Sequence, residues 1–230
     1  MDIRLGAIFM CGRYTLVVSI EELMDHYLIE NLPEPFAPRY NIAPTQMVLA
    51  VINDGSKNQI GQLKWGLVPT WSKTEKEGFK MINARAETVV DKPAFRTAFQ
   101  RKRCLIPADG FYEWQRRPDG SKQPYRIVLK DVELFSFAGL YETWISPEGN
   151  KVSTCTIITT TPNKLMANIH DRMPVILPHR AEATWLNKET PTADLTELMQ
   201  PYPDEELEAY PVSSAVGNVK NNSDELIKRN

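Results

Sequence analysis

The alternation of apolar and polar residues along the chain predicts many short β-strands and few α-helices. Residues 47–53 and 62–67 have the composition of strands, and the turn signal Asn53-Asp54-Gly55 separates them. Further strands are predicted at 81–88, 103–107, 111–115, 124–130, 133–141, 153–160 and 175–177. Because few helices lie between them, we expect mainly antiparallel pairing and an α+β fold in a single domain.

The first helix has a clear start signal in Ser19 and Glu22, which form a capping box. The apolar residues that follow share one helical face: Ile20, Leu23, Met24, Tyr27 and Leu28. Prolines at positions 33, 35, 38 and 44 then predict an extended loop over residues 33–46.

Three later helices are predicted. Thr161 before Pro162 is typical of an N-cap with proline at the first helical position, and this short helix is expected to end near His170. Two acidic helices are predicted around 180–187 and 192–199.

The composition excludes several classes of protein. Of the 230 residues, 42% are hydrophobic and 24% are charged, which is ordinary globular usage and argues against disorder and fibrous repeats. No apolar run approaches the roughly 20 residues of a membrane span. The short apolar stretch at the start lacks the cleavage site of a signal peptide. We therefore expect a soluble, cytoplasmic protein, and a monomer, since nothing indicates an obligate dimer.

Charge is unevenly distributed although the formal net charge is only −2. Residues 91–130 carry ten Lys or Arg and four acidic residues, whereas residues 181–210 carry eight acidic residues and one lysine. The basic segment has the charge to follow a phosphate backbone. The alternative is that it forms an ordinary solvated surface.

The cysteine and histidine patterns argue against disulfides and metal binding. Three cysteines without a C-x-x-C pair form neither a disulfide framework nor a thiolate zinc site, and the histidines lack H-x-x-x-H spacing. Cys104 and Cys155 lie in apolar strand patterns and are expected in the core. His26 and His179 are expected to be structural or solvated.

Three segments have side chains suited to chemistry. Asn83, Arg85 and Glu87 alternate with apolar residues, so they either form the wet face of a half-buried strand or line a site with Arg85 on a phosphate. Glu113 follows Gly110-Phe111-Tyr112. Burial among aromatic residues would raise its pKa and suit it to acid–base catalysis, unless it is a rim residue or an arginine partner.

His170 lies in a polar loop, where it is either a proton shuttle or a surface histidine. Trp65, Trp71 and Trp114 either stack on unpaired bases or belong to the core.

Seven ordered segments extend this pattern over nearly the whole chain. They are Met10-Cys11-Gly12-Arg13-Tyr14, Arg39-Tyr40-Asn41-Ile42-Ala43-Pro44, Trp65-Gly66-Leu67-Val68-Pro69, Ile82-Asn83-Ala84-Arg85-Ala86-Glu87, Asp109-Gly110-Phe111-Tyr112-Glu113-Trp114, Ile169-His170-Asp171-Arg172-Met173-Pro174 and Val212-Ser213-Ser214-Ala215-Val216-Gly217-Asn218-Val219. Together they resemble the SRAP family, the SOS-response-associated peptidase domain proteins that crosslink to abasic sites in DNA.

The resemblance implies one domain over residues 11–230, with curved, barrel-like antiparallel sheets, peripheral helices and a positively charged groove for single-stranded DNA. It places the reactive cysteine and its polar partners on Cys11, Asn83, Glu113 and His170. It places DNA contacts on Arg13, Pro44, Trp71, Arg85 and Arg172. The implied partner is single-stranded DNA with an abasic site, bound at the nucleoid without a metal or an organic cofactor.

The implied chemistry joins an N-terminal cysteine to the aldehyde of the ring-opened abasic sugar. The amine forms an imine, and the thiol attacks the same carbon to close a thiazolidine. Reference pKa values of about 8 for the amine and ~8.5 for the thiol leave a reactive fraction near neutral pH. Glu113 would move protons, His170 would act at the sugar hydroxyl, and Asn83 would orient the reactants.

The start of the chain departs from the family pattern, because residues 1–10 precede Cys11 and a peptide-bonded nitrogen cannot form an imine. Either Met10 is the true start, which we favour, or the Cys11 thiol attacks the Met10 carbonyl and releases residues 1–10 as a leader. Two alternative functions remain open. One is an N-terminal-cysteine peptidase or amidohydrolase, and the other is a non-catalytic reader of modified or unpaired bases.

Overall fold

The computed structural model describes residues 11–30 and 37–230, so the prediction of a leader or mis-assigned start at 1–10 lies outside the described residues. The strands are β1 (Tyr14–Leu16), β2 (Arg39–Ile42), β3 (Met47–Asn53), β4 (Asn58–Trp65), β5 (Asn83–Arg85), β6 (Arg103–Ala108), β7 (Gly110–Arg116), β8 (Lys122–Leu129), β9 (Phe135–Ile145), β10 (Lys151–Thr160), β11 (Met173–Pro174), β12 (Ile176–Leu177) and β13 (Leu207–Pro211). The α-helices are α1 (Ile20–Tyr27), α2 (Arg96–Arg101), α3 (Lys164–Ala167), α4 (His179–Leu186) and α5 (Thr192–Glu197).

Strands β10, β4, β3, β6 and β9 close into a barrel, because β9 pairs with β10 as well as with β6. An odd number of strands cannot alternate in direction around a closed ring, so one neighbouring pair must run parallel. That pair is β4 and β10. The other four pairs of the ring are antiparallel, which confirms the prediction of a mainly antiparallel, barrel-like α+β fold.

A second sheet, in the order β13-β8-β7-β1-β2, packs on the barrel. The two sheets share one core, in which Tyr14 of β1 makes edge contacts with the barrel residues Trp65 and Phe137. The chain passes from the barrel to this sheet at Asp109, whose buried carboxylate pairs with Arg126 at 3.1 Å. Position 110 requires glycine because the Arg126 guanidinium fills the space beside it. A Cβ atom at this position would lie only 2.8 Å from Arg126 Nε.

The α-helices are short, and α2 and α4 pack on β6 and β9 of the barrel. The capping box that begins α1 is confirmed, with the Glu22 N–H donating to Ser19 Oγ at 3.1 Å and the Ser19 N–H donating to Glu22 Oε2 at 2.7 Å. The prediction that Leu28 belongs to the apolar face of this helix is wrong, because α1 ends at Tyr27. Leu28 adopts the left-handed C-cap conformation and its side chain is 82% exposed.

Other predictions needed correction because tertiary contacts override local signals. Residues 33–36 of the expected loop over 33–46 lie outside the described residues. The rest of it contains β2, which is held by pairing with β1 (Tyr14 opposite Ile42). The N-cap expected at Thr161 is at Asn163, whose side chain accepts the Met166 N–H at 2.8 Å. Within the described ranges no helix has the length and apolar character needed to cross a membrane.

Candidate active site around Cys11

Cys11 lies beside Glu113 because β1 and β7 are antiparallel neighbours. The Tyr112 N–H donates to the Arg13 carbonyl at 2.9 Å, so the residues just before Arg13 run alongside those just after Tyr112. The Cys11 N–H donates to Glu113 Oε1 at 2.6 Å. The Glu113 carboxyl also lies close enough to the Cys11 thiol for its charge to raise the thiol pKa. One carboxyl group therefore binds the nitrogen of Cys11 and acts on its sulfur.

Burial controls the protonation of this pair. Cys11 is 4% exposed and Glu113 is 2% exposed. Burial raises the pKa of Glu113, although the His170 charge and the hydrogen bonds from Cys11 act in the opposite direction. Burial, followed by the nearby Glu113 charge, holds the pKa of the Cys11 thiol well above its usual value. Glu113 is thus suited to carry a proton, and the thiol is held as S–H rather than as a free thiolate.

His170 lies close enough for its charge to act on Glu113. Its Nδ1 accepts the Arg172 N–H at 3.2 Å and lies 3.0 Å from Asp171 Oδ1. Among the described residues these contacts engage Nδ1 and no hydrogen bond to Nε2 is seen, so Nε2 is the nitrogen that can exchange a proton. The His170 side chain is 14% exposed, so it borders the site without being sealed inside it.

Asn83 connects to the site through the barrel. It begins β5, which runs parallel to β10, and its Nδ2 donates to the Ile157 carbonyl at 3.4 Å. Ile157 in turn lines a narrow crevice that Cys11 also lines and that has no room for a water molecule. The rest of that crevice is mainly aromatic and apolar: Tyr14, Trp65, Phe111, Phe137 and Pro174. This rigid, apolar floor keeps water from the buried side of Cys11.

The predicted alternation is confirmed only over β5, where Asn83 and Arg85 are more exposed than the buried Ala84 between them. The strand expected over 81–88 ends at Arg85, and Glu87 lies in the turn that follows. Arg85 is exposed and lies near Glu87, whose pKa is lowered mainly by its hydrogen bonds to Arg172.

The other two predicted phosphate-binding arginines are engaged in internal contacts. Arg172 is 8% exposed and forms a bidentate ion pair with Glu87. Arg13 donates to Asn41 Oδ1 at 2.7 Å and to the Val216 carbonyl at 2.6 Å. A phosphate at either residue would share the guanidinium with these partners, so Arg85 is the arginine of the three that solvent reaches most freely.

The three tryptophans have different environments. Trp65 is 1% exposed and donates its indole N–H to the Ile82 carbonyl, so it belongs to the core. Trp114 is half-buried under Arg13. Trp71 is 60% exposed and Pro44 is half-buried in the turn before β3, and both remain predicted DNA contacts. Cys104 and Cys155 are fully buried in β6 and β10, as predicted.

The basic segment 91–130 does not form one basic face. Arg103 is buried and donates only to carbonyl groups: those of Phe99, Gln100, Trp185 and Asn187. Arg126 is paired with Asp109, and Lys102 is paired with Glu142. A count of charges along the chain therefore overstates the charge available to DNA.

Sequence reasoning missed the positioning roles of Asn41 and Glu87. Asn41 is 4% exposed and its Nδ2 donates to the carbonyls of Asn218 and Asn221 at 3.0 Å each, which ties the C-terminal segment to Arg13. Glu87 holds Arg172 beside the site. Both partners are distant in sequence, so no local pattern signals them.

Known proteins resemble this chain over most of its length. A family model described as SOS response associated peptidase (SRAP) matches residues 10–219. Two Bacillus subtilis proteins are named Abasic site processing protein YoqW and Abasic site processing protein YoaM. They are 55% and 53% identical to the chain, with 95% of this chain and 99% and 97% of theirs covered.

More distant proteins show the same similarity. Abasic site processing protein HMCES of Xenopus tropicalis is 33% identical, with 84% of this chain and 67% of that protein covered. A crystal structure of a Bacteroides thetaiotaomicron protein superposes with a TM-score of 0.86 at 28% identity, covering 96% of this chain and 100% of that one.

Proposed function

Because the chain belongs to the SOS response associated peptidase (SRAP) family, we propose that it processes abasic sites in DNA by bonding covalently to the lesion through Cys11. The observation that supports this best is the position of Glu113. Its carboxyl group accepts the Cys11 N–H at 2.6 Å and lies near enough to the thiol to raise its pKa, and this nitrogen and sulfur are the two atoms that close a thiazolidine.

The reaction requires a free Cys11 amine and an abasic sugar in its open aldehyde form. The amine attacks the aldehyde carbon, and loss of one water gives an imine. The thiol then adds to that carbon, its proton passes to the imine nitrogen, and a five-membered ring results. The net change is one water released per crosslink.

Glu113 supplies the proton transfers of this sequence. With its pKa raised, it can protonate the departing hydroxyl and then accept the thiol proton from the same position. Because the thiol is protonated and buried, the amine reacts first and the thiol second. His170 assists at the sugar hydroxyl, and Asn83 orients the open sugar.

The lesion is best presented on a single strand, since an exposed aromatic side chain can stack on any unpaired base. Trp71 supplies such a surface, and Arg85 supplies a solvent-facing cation for a phosphate. The other predicted contacts, Arg13, Pro44 and Arg172, would complete the binding surface.

A second activity, release of residues 1–10, is favoured by the same contact. The Cys11 nitrogen that hydrogen-bonds Glu113 would be the leaving group if the thiol attacked the preceding carbonyl. Glu113 would protonate that nitrogen as the C–N bond breaks, and water would hydrolyse the resulting thioester. Cys11 would then carry a free amine.

The experiment that tests the proposal mixes the protein with single-stranded DNA containing one abasic site and separates the products on a denaturing gel. A DNA–protein band that survives denaturation supports the crosslink. Turnover of amide substrates without such a band would indicate a hydrolase, and a complex seen only on native gels would indicate a reader; either outcome contradicts the proposal.

Glu113→Gln should slow crosslink formation by roughly 100-fold or more, the usual contribution of a general acid–base group. The DNA Kd should stay within about twofold, because a glutamine fits the same space and Glu113 is not exposed to phosphates. The protonated fraction of Glu113 falls as pH rises through its raised pKa. The crosslinking rate of the wild type should therefore fall over this pH range, whereas the rate of the variant should not. Single-turnover rates across pH measure both effects, and equal rates for the two proteins would exclude Glu113 as the proton carrier.

Arg85→Ala should show the opposite behaviour. Loss of one phosphate contact on a single strand should weaken binding and reduce the slope of log K against log salt by about 0.7. The crosslinking rate at saturating DNA should not change. Arg180→Ala removes an exposed arginine from α4 and serves as the matched control. If both variants change the salt slope equally, Arg85 is not a specific contact.

A further inference from the structure

Two histidines and one glutamate, distant in sequence, converge beside α1 and α4. His26 Nε2 lies 3.1 Å from both oxygens of Glu182, and His179 Nδ1 lies 3.0 Å from Glu182 Oε2. The nitrogen and oxygen donors all lie within 4.8 Å of one another. In the part of the chain that the structure describes, no other group of His, Cys, Asp and Glu shows such convergence.

The spacing matches a transition-metal site. Ligand bonds of 2.0–2.2 Å arranged as a tetrahedron put neighbouring donor atoms roughly 3.3–3.6 Å apart. Glu182 Oε2 is already at 3.0 Å and 3.1 Å from the two imidazole nitrogens, so a small outward movement of the side chains would admit an ion. Two imidazoles and one carboxylate favour Zn²⁺ or Co²⁺ over Mg²⁺ and Ca²⁺, which prefer oxygen ligands.

The carboxylate is supported from behind, as ligands in built metal sites are. Ser136 Oγ donates to Glu182 Oε1 at 2.6 Å, and the Tyr27 hydroxyl lies 2.8 Å from Ser136 Oγ. Glu182 is 5% exposed, Ser136 and Tyr27 are buried, and Ser136 is on β9 of the barrel. This chain of hydroxyl groups holds Oε1, while Oε2 lies within 3.1 Å of a nitrogen of each histidine.

The cluster is also accessible. His26, His179 and Glu182 line a broad surface groove, and the His179 side chain is 69% exposed. An ion can therefore enter from solvent, and a water molecule can take the fourth position. None of these residues contacts Cys11, Glu113 or His170 in the hydrogen bonds of the described chain.

We propose that His26, His179 and Glu182 bind one divalent transition-metal ion of the Zn²⁺ class, with water completing a tetrahedral site. The ion joins α1, which carries His26, to α4, which carries the other two ligands. It stabilises the packing of these helices on the barrel and takes no part in the chemistry at Cys11. The sequence prediction that the chain lacks a metal site is revised by this inference, since it considered only closely spaced ligands.

The test measures metal binding by the untagged full-length protein after treatment with a chelator. Zn²⁺ affinity is measured by competition with a chromophoric chelator, and Co²⁺ is added separately to read its visible absorption. We expect one Zn²⁺ per chain with a Kd in the micromolar range or below, an absorption typical of four-coordinate Co²⁺, and a rise in Tm with added Zn²⁺.

His179→Gln is the most informative variant, because this exposed side chain can change without disturbing the core. It should weaken Zn²⁺ binding by at least tenfold and abolish the Tm increase, as should Glu182→Gln. Ser136→Ala should weaken binding by about 10-fold, the usual effect of removing an outer hydrogen bond to a ligand. Cys11→Ala should bind Zn²⁺ as the wild type does, which separates this site from any thiol-dependent binding.

Three results would overturn the proposal. In the first, the wild-type protein binds no stoichiometric Zn²⁺ at micromolar concentration. In the second, the His179→Gln protein binds Zn²⁺ as tightly as the wild type. In the third, the Cys11→Ala protein no longer binds Zn²⁺. In the first case the cluster would be a purely hydrogen-bonded one, in which the imidazoles share protons with Glu182.

Discussion

Replacing Cys11 with alanine should abolish the DNA–protein band that survives denaturation. The substitution removes the sulfur that closes the ring, and an imine formed by the alanine amine alone would hydrolyse during denaturation. Cys11 contacts Glu113 and lies over an apolar crevice, so the loss of one sulfur atom leaves the surrounding strands in place. Denaturing electrophoresis of both proteins with abasic single-stranded DNA measures the effect.

The controls are Cys104→Ala and Cys155→Ala. Both thiols are fully buried in barrel strands, and burial raises the pKa of each well above its usual value, so neither can reach a sugar. Both variants should form the adduct at wild-type yield. An undiminished adduct in Cys11→Ala would remove Cys11 from the reaction, and adduct loss in a well-folded Cys104→Ala protein would point to a different nucleophile.

A chain that retains residues 1–10 should form no stable adduct. Its Cys11 nitrogen is an amide whose N–H is donated to Glu113, and an amide nitrogen cannot form an imine. Intact-mass analysis of protein expressed from its native locus should therefore find a mature chain that begins at Cys11. A mature chain with residues 1–10 that still forms the adduct would refute the thiazolidine mechanism.

Two substitutions distinguish the routes to a free amine. If translation starts at Met10, removing the Met1 codon leaves the protein unchanged, whereas Met10→Leu leaves only the longer chain or no protein. If the thiol releases the leader, Met10→Leu is still processed to Cys11, and Glu113→Gln accumulates the unprocessed chain. Mass spectra of these variants identify the route independently of DNA binding.

Local features of the fold were readable from the sequence because their causes are local. The capping box of α1 needs only Ser19 and Glu22, three residues apart, and β3 needs only its run of apolar residues. The alternation on β5 follows from the pleat of a strand, which turns successive side chains to opposite faces. The seven ordered segments were likewise sufficient to indicate the family.

The pairing of distant segments could not be predicted from the sequence. The alternation of residues in a strand and the capping residues of a helix do not specify which other segment lies beside them. β2 was expected as part of a loop, and only its pairing with β1 makes it a strand. The parallel contact of β4 with β10 follows from closure of five strands, which no single segment encodes. The burial of charged side chains could not be predicted either. The sequence gives no sign that Arg103 and Arg126 are buried, because their carbonyl and carboxylate partners lie elsewhere along the chain.

The candidate site shows the same division. Residue patterns alone suggested Glu113 and His170 as reactive types and suggested that burial would raise the Glu113 pKa, and the family resemblance added Cys11. The register of β1 on β7 decided that one carboxyl group faces both the nitrogen and the thiol of Cys11, across 102 residues of chain. The packing of α1 and α4 on the barrel likewise brought His26 and His179 to one glutamate. Residue types determine which chemistry is possible, but hydrogen bonds act over about 3 Å, so only the folded backbone decides which groups react together.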